Sequence, residues 1–132
     1  MPVGLSAPVE LSPVAGIRLG IASAGIKKPG RRDLVVMEIA AGATCVALFT
    51  RNAFCAAPVI IAREHLDTDT PCYLLINTGN ANAGTGASGL ENARRSCASL
   101  AQHAGCAARD DHRRGTKGIT CEQRHAGGAG GN

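Results

Sequence analysis

Aromatic side chains are almost missing: the 132 residues contain no tryptophan, one tyrosine and two phenylalanines. A core without rings has to be built from Val, Ile, Leu, Ala and Cys, each of which removes less surface from water than a ring does. Marginal stability is the expectation. The same scarcity bears on the formal net charge of +4. Lys27, Lys28, Arg31 and Arg32 form one basic cluster, and Arg109, Arg113, Arg114, Lys117 and Arg124 form another. Neither is interleaved with rings on which bases stack, so nucleic acid is not an expected partner.

Long apolar runs are lacking too. None approaches the ~20 residues of a membrane helix, so no membrane partner is expected. The opening Met1-Pro2-Val3-Gly4-Leu5-Ser6 has neither the basic nor the apolar region of a secretion signal. Six cysteines, at 45, 55, 72, 97, 106 and 121, contain no C-x-x-C and make no zinc spacing with the histidines at 65, 103, 112 and 125. The expectation is reduced thiols in a cytoplasmic protein, acting as small core hydrophobes, with no metal.

What is present reads as one α/β domain. Ile17, Leu19 and Ile21 alternate with Arg18, Gly20 and Ala22, the period of a half-buried strand. After Gly25 and Pro29-Gly30, further strands are expected at 34–39, 45–49 and 59–62, the first three forming an antiparallel meander and the fourth opened by Pro58. A polar connection over 65–71 leads to a buried strand over 72–77. A helix from Gly89 to about Ala104 places Leu90, Ala93, Cys97, Leu100, Ala101 and Ala104 on one face; Ser88 and Glu91 form its capping box and Gly105 its left-handed end. From residue 107 onward the chain is polar, basic and Gly-rich, and no structure is expected there.

Between the 72–77 strand and the helix runs Asn77-Thr78-Gly79-Asn80-Ala81-Asn82-Ala83-Gly84-Thr85-Gly86. A strand, a loop of small residues and a helix make a backbone-lined site: Gly permits close approach to the main chain, and Asn brings amide donors and acceptors that do not titrate. Asn77, Thr78, Gly79, Asn80, Asn82, Gly84, Thr85 and Gly86 are the candidate pocket residues. The plainer alternative is a rigid turn whose Asn side chains satisfy local groups. Gly84 to Gly89 also fits G-x-G-x-x-G, but a dinucleotide fingerprint starts at the strand end, and here seven residues separate Ile76 from Gly84. Thr85 stands where a Walker loop needs Lys.

The run INTGNANAGTG at 76–86 resembles the signature of the bifunctional ornithine acetyltransferase / N-acetylglutamate synthase family of arginine biosynthesis. Pro13-Val14-Ala15-Gly16-Ile17, Gly25-Ile26-Lys27-Lys28, Arg31-Arg32-Asp33-Leu34 and Phe49-Thr50-Arg51-Asn52 agree with it in order and spacing, from about residue 8 to 106. The resemblance implies a layered sheet-and-helix sandwich of the ornithine acetyltransferase type, incomplete here, with residues 1–106 as its N-terminal part and 107–132 as an unstructured tail. It also implies ping-pong acetyl transfer between N-acetylornithine and glutamate through an N-terminal Thr freed by autocatalytic cleavage. Acetyl-coenzyme A is a donor in bifunctional members, no resident cofactor is implied, and the processed alpha and beta chains assemble as an oligomer. The candidate loop becomes a wall of the acyl-transfer pocket, and the first basic cluster faces an acidic amino-acid substrate.

The family's oxyanion segment Ser-Thr-Gly-Val-Ile-Gly does not occur in the 132 residues, and neither does its cleavage junction, Ala-Thr preceded by Lys-Gly and a Met-rich stretch. No catalytic residue is therefore assigned, and the chain alone is expected to be inactive. Lys117-Gly118-Ile119-Thr120 superficially resembles the cleavage region, but it lacks the Met-rich spacer and the strained scaffold that self-cleavage needs. A reading frame lost between Cys106 and Arg109 would produce this change of character; the other two frames past codon 106 test it. The competing readings are a non-catalytic truncated product or small binding module, and a dinucleotide-binding protein.

Overall fold

The computed structural model describes residues 10–68, 70–105 and 119–124, the last stretch by its backbone. Its elements run β1 (Ile17–Ala22), β2 (Leu34–Ile39), α1 (Ala57–Thr68), β3 (Tyr73–Thr78), α2 (Gly86–His103) and β4 (Ile119–Arg124). The strands form one sheet in the order β1-β2-β3-β4, antiparallel except for the parallel β3/β4 pair. The sheet-and-helix α/β class expected from the sequence is the observed one.

Register sorts the side chains into two faces, because neighbours along a strand point oppositely. Leu34, Val36, Tyr73 and Leu75 share one face and pack against the helices. Ile61 of α1 and Cys97 of α2 are fully buried there, with Ala57, Ala93 and Ala101 around them. Two small-residue helix faces allow close packing, which is how a core nearly without rings closes. Tyr73 supplies the ring at its margin, and its hydroxyl donates to Glu38 Oε1 at 3.4 Å; Glu38 in turn pairs with Arg18 at 2.5 Å, so one register row crosses three strands. Arg18 and the Tyr73 hydroxyl hold the Glu38 carboxyl below its usual range, against desolvation.

The other face carries Ile17, Leu19 and Ile21 of β1, Val35, Met37 and Ile39 of β2, and Leu74 and Ile76 of β3. None of these is buried, and Leu19 and Ile21 stay more than half exposed. β1 is therefore open on both faces rather than half-buried as its alternation predicts.

Three expectations are corrected. Residues 59–62 are not a strand but the first half of α1, which also absorbs His65 to Thr68 from the expected connection. Pro58 sits in the first turn, where its missing N–H costs nothing, and the buried positions 57, 58, 61 and 62 follow a helical period. Residues 45–49 form no strand: Val46 and Leu48 project into solvent, because β2 already has β1 and β3 as its two neighbours. Within the stretch expected to have no structure, Ile119–Arg124 forms β4 beside β3. Cys106, 107–118 and 125–132 lie outside the described residues. Of the cysteines, Cys97 is buried and Cys45, Cys55 and Cys72 are half-buried free thiols.

Candidate functional site

The sheet delivers Asn77 and Thr78 to the end of β3. Thr78 N–H donates to the Asp33 carbonyl at 2.9 Å, extending the β2/β3 ladder by one residue. Gly79, with φ +102°, turns the chain away, and Gly84 at +70° and Gly86 at +58° turn it again into α2. In between, Asn82 Nδ2 donates to Asn77 Oδ1 at 3.2 Å, tying the loop to the strand that launches it. Thr85 Oγ1 donates to the Asn82 carbonyl at 2.9 Å, and Ser88 Oγ to the Thr85 carbonyl at the same distance. The eight candidate residues thus run as one ribbon from β3 across the loop to the first residue of α2.

The start of the helix differs from expectation. It begins at Gly86 with Thr85 as its N-cap, and no side chain caps it. Ser88 lies inside the first turn with its hydroxyl committed to Thr85, so the Ser88/Glu91 capping box does not form. Gly105, at φ +67°, is left-handed as expected.

Two other sequence motifs meet this ribbon. Asn52 Oδ1 accepts the Phe54 N–H at 2.9 Å, and the Phe54 ring lies against Gly84 so closely that a Cβ there would stand 2.6 Å from Cζ. Arg63 of α1 donates to the Thr50 carbonyl at 3.2 Å and stacks 5.3 Å from the centre of the Phe49 ring, fastening the 49–52 motif to the helix. On the other side, the basic turn after β1 reaches Thr78 and Gly79. Asp33, buried to 4% exposure, accepts the Ala24 N–H at 2.6 Å and the Ile26 N–H at 2.7 Å. These amides hold its carboxyl below the usual range, the Ala24 bond most of all. Sequence reasoning grouped Asp33 with the basic motif but did not single it out; an acid following four cations is no signal of a buried clamp.

A larger concavity of about 960 Å³ opens between Leu34, Val36 and Leu75 of the sheet and the Asn92, Arg95 and Ser99 side of α2. His103, at its end, points Nδ1 at the Ser99 carbonyl, 3.1 Å away. Ser96, Ser99 and His103 line it, but among the described residues the His103 ring meets the Ser99 carbonyl and Ser96 Oγ donates to the Asn92 carbonyl, so no serine–histidine hydrogen bond forms there.

Residues 18–121 match the ArgJ family model. The chain belongs to the ArgJ family. It is 58% identical over 105 residues to the arginine biosynthesis bifunctional protein ArgJ of Pseudomonas syringae pv. tomato, covering 80% of this chain and 26% of that one. The Methylococcus capsulatus protein of the same name is 58% identical over 93 residues, 70% of this chain and 22% of its own length. The chain therefore spans about a quarter of the length of these relatives. Among solved structures, ornithine acetyltransferase from Mycobacterium tuberculosis, complexed with ornithine, superposes with a TM-score of 0.70 at 27% identity, over 89% of this chain and 58% of that one. The Bacillus halodurans ArgJ protein superposes at 0.65 and 24% identity, covering 86% and 56%.

The ArgJ match runs to residue 121, beyond the point near Cys106 where the resemblance stops in the sequence reading. Membership in this family favours neither a dinucleotide site nor a non-catalytic module. β4 does complete a β3-α2-β4 unit that the dinucleotide reading lacked. Gly84 nevertheless lies well past the last residue of β3, and only Gly86 and Gly89 belong to the helix. Among the described residues, no helix is long and apolar enough to cross a membrane.

Proposed function

We propose that this chain supplies the N-terminal part of an acyltransferase that moves an acetyl group between N-acetylornithine and glutamate in arginine biosynthesis, in the cytoplasm. The observation that carries the reading is the 58% identity over 105 residues to a bifunctional ArgJ relative, together with the family match over residues 18–121. In this reading the ribbon from Asn77 to Gly86 is one wall of the acyl-transfer pocket. Its Asn amides and exposed backbone orient a polar substrate without adding a titrating group. The nucleophile, the oxyanion donors and the partner chain of the processed assembly come from polypeptide beyond these residues, and acetyl-coenzyme A serves as the other acetyl donor.

A chimera tests this. Residues 18–105 replace the matched segment of the Pseudomonas syringae relative, and transfer from N-acetylornithine to glutamate is measured. The chimera is expected to turn over, and residues 1–132 alone to give no transfer above a heat-treated control. A folded but inactive chimera, or turnover by the 132 residues alone, overturns the reading.

A further inference from the structure

Lys27, Lys28, Arg31 and Arg32 surround a small cavity of about 40 Å³ whose remaining wall is Asp33, Thr78 and Gly79. Four cations face one carboxylate, a local excess of three positive charges. That carboxylate already accepts the Ala24 and Ile26 amides, so its oxygens are committed to shaping the turn. Among the described residues, no carboxylate forms an ion pair with any of the four cations; the pairs present are Arg18–Glu38 and Arg94–Glu64. Like charges gathered on one turn repel each other, and among the described residues that line the cavity only Asp33 carries the opposite charge. The turn does not yield, because Asp33 clamps its start through two short hydrogen bonds and the Thr78 N–H secures the Asp33 carbonyl.

We infer that this cavity is an oxyanion-binding subsite, taking a single carboxylate or phosphate head group. Size limits how much enters: the volume of about 40 Å³ is a few times the ~10–15 Å³ that one water needs, so a small anionic head group enters and the rest of a larger ligand stays outside. Arg31 and Arg32 offer planar forks that match both anions, and Lys27 and Lys28 act as point charges. Thr78 and Gly79, which line the cavity, belong to the Asn77–Gly86 ribbon, so a ligand held here by its anionic end lies beside that ribbon. That the anion is the carboxylate of an acetyl-accepting amino acid, or a phosphate of an acetyl donor, rests on the proposed function; the subsite itself rests on this geometry alone.

The test is an amide-resolved NMR titration of the full 132-residue chain at constant ionic strength. Sodium glutamate and inorganic phosphate are the probes and sodium chloride the reference. Saturable shifts at Ile26, Thr78 and Gly79 are expected, with a Kd on the order of 1 mM, weakened about tenfold or more by Arg31→Gln and by Lys27→Gln. Arg51→Gln, outside the cavity, should leave binding unchanged. Tighter glutamate binding assigns the subsite to a carboxylate, and tighter phosphate binding to a phosphate; both support an oxyanion site. Linear shifts that chloride reproduces, or equal weakening by Arg51→Gln, overturn it. Both variants change exposed side chains, and either alone suffices if the other fails to fold. Saturable binding beside an inactive chimera removes the proposed function and leaves the subsite.

Discussion

Phe54 meets Gly84 with the tip of its ring: Cζ occupies the space a side chain at 84 would need. This contact joins the 49–52 motif to the candidate loop across twenty-nine intervening positions, and the φ of +70° at 84 favours glycine there.

Gly84→Ala is expected to cost about 1–2 kcal/mol, the ordinary penalty for a Cβ in the left-handed region. The ring is 70% exposed and can swing aside, so the clash adds little stability loss but releases Phe54 from the loop. Gly42, at φ +86° with open space around its Cβ position, is the control; Gly42→Ala carries the conformational cost alone. Urea denaturation of both variants, with and without Phe54→Ala, separates the two effects. If Phe54→Ala leaves the Gly84 and Gly42 differences untouched, the ring exerts no hold.

Asp33 governs acid sensitivity. Its folded carboxyl titrates below its unfolded value because two backbone amides stabilise the charged form. Stabilisation of this kind is fully present above about pH 4, the unfolded range, and is lost as pH falls through the lowered folded value. Glu38, lowered by Arg18, adds to the same loss. Thermal denaturation should show Tm falling steeply below pH 4, and Asp33→Ala should lower Tm at pH 7 and flatten that fall. An unchanged acid profile in Asp33→Ala refutes the clamp.

Ile61 is the keystone between α1, α2 and the sheet, with none of its side chain exposed. Ile61→Ala should cost about 2–5 kcal/mol, enough to unfold a domain of marginal stability at ordinary temperatures. A measured loss under about 1 kcal/mol means that the site collapses around the cavity. Circular dichroism melting gives the answer directly.

The elements legible in the sequence were those whose local pattern and tertiary setting agree. β1 alternates, β2 and β3 are short apolar runs bounded by turn residues, α2 has a helical period, and the β3–α2 loop carries its turn chemistry in its Asn and Gly residues. Residues 59–62 misled because four apolar residues after a Pro suit a strand start and a helix first turn equally, and only the burial of 57, 58, 61 and 62 decides. Residues 45–49 have strand chemistry, but β2, their expected neighbour in the meander, is already paired on both sides by β1 and β3, which is a property of topology and not of local sequence. The candidate loop was readable residue by residue. Its partners were not, since the Phe54–Gly84 contact and the approach of the basic turn to Thr78 and Gly79 depend on how distant strands register.

The sheet face away from α1 and α2 makes the last prediction. An unbroken aliphatic surface over three strands, with Leu19 62% and Ile21 57% exposed, exceeds what scattered surface hydrophobes provide and favours association. The isolated chain should bind ANS in its folded state and sediment above monomer mass, increasingly so with concentration. Leu19→Glu combined with Ile21→Lys places charge on that face at positions where little packing is lost, so Tm should hold while self-association falls. Pairing through the open edge of β1 predicts the opposite: edge association uses backbone groups and survives the face substitutions. Sedimentation velocity on the wild type and the double variant therefore tells the two surfaces apart, and a wild-type chain that stays monomeric at every concentration rules out both.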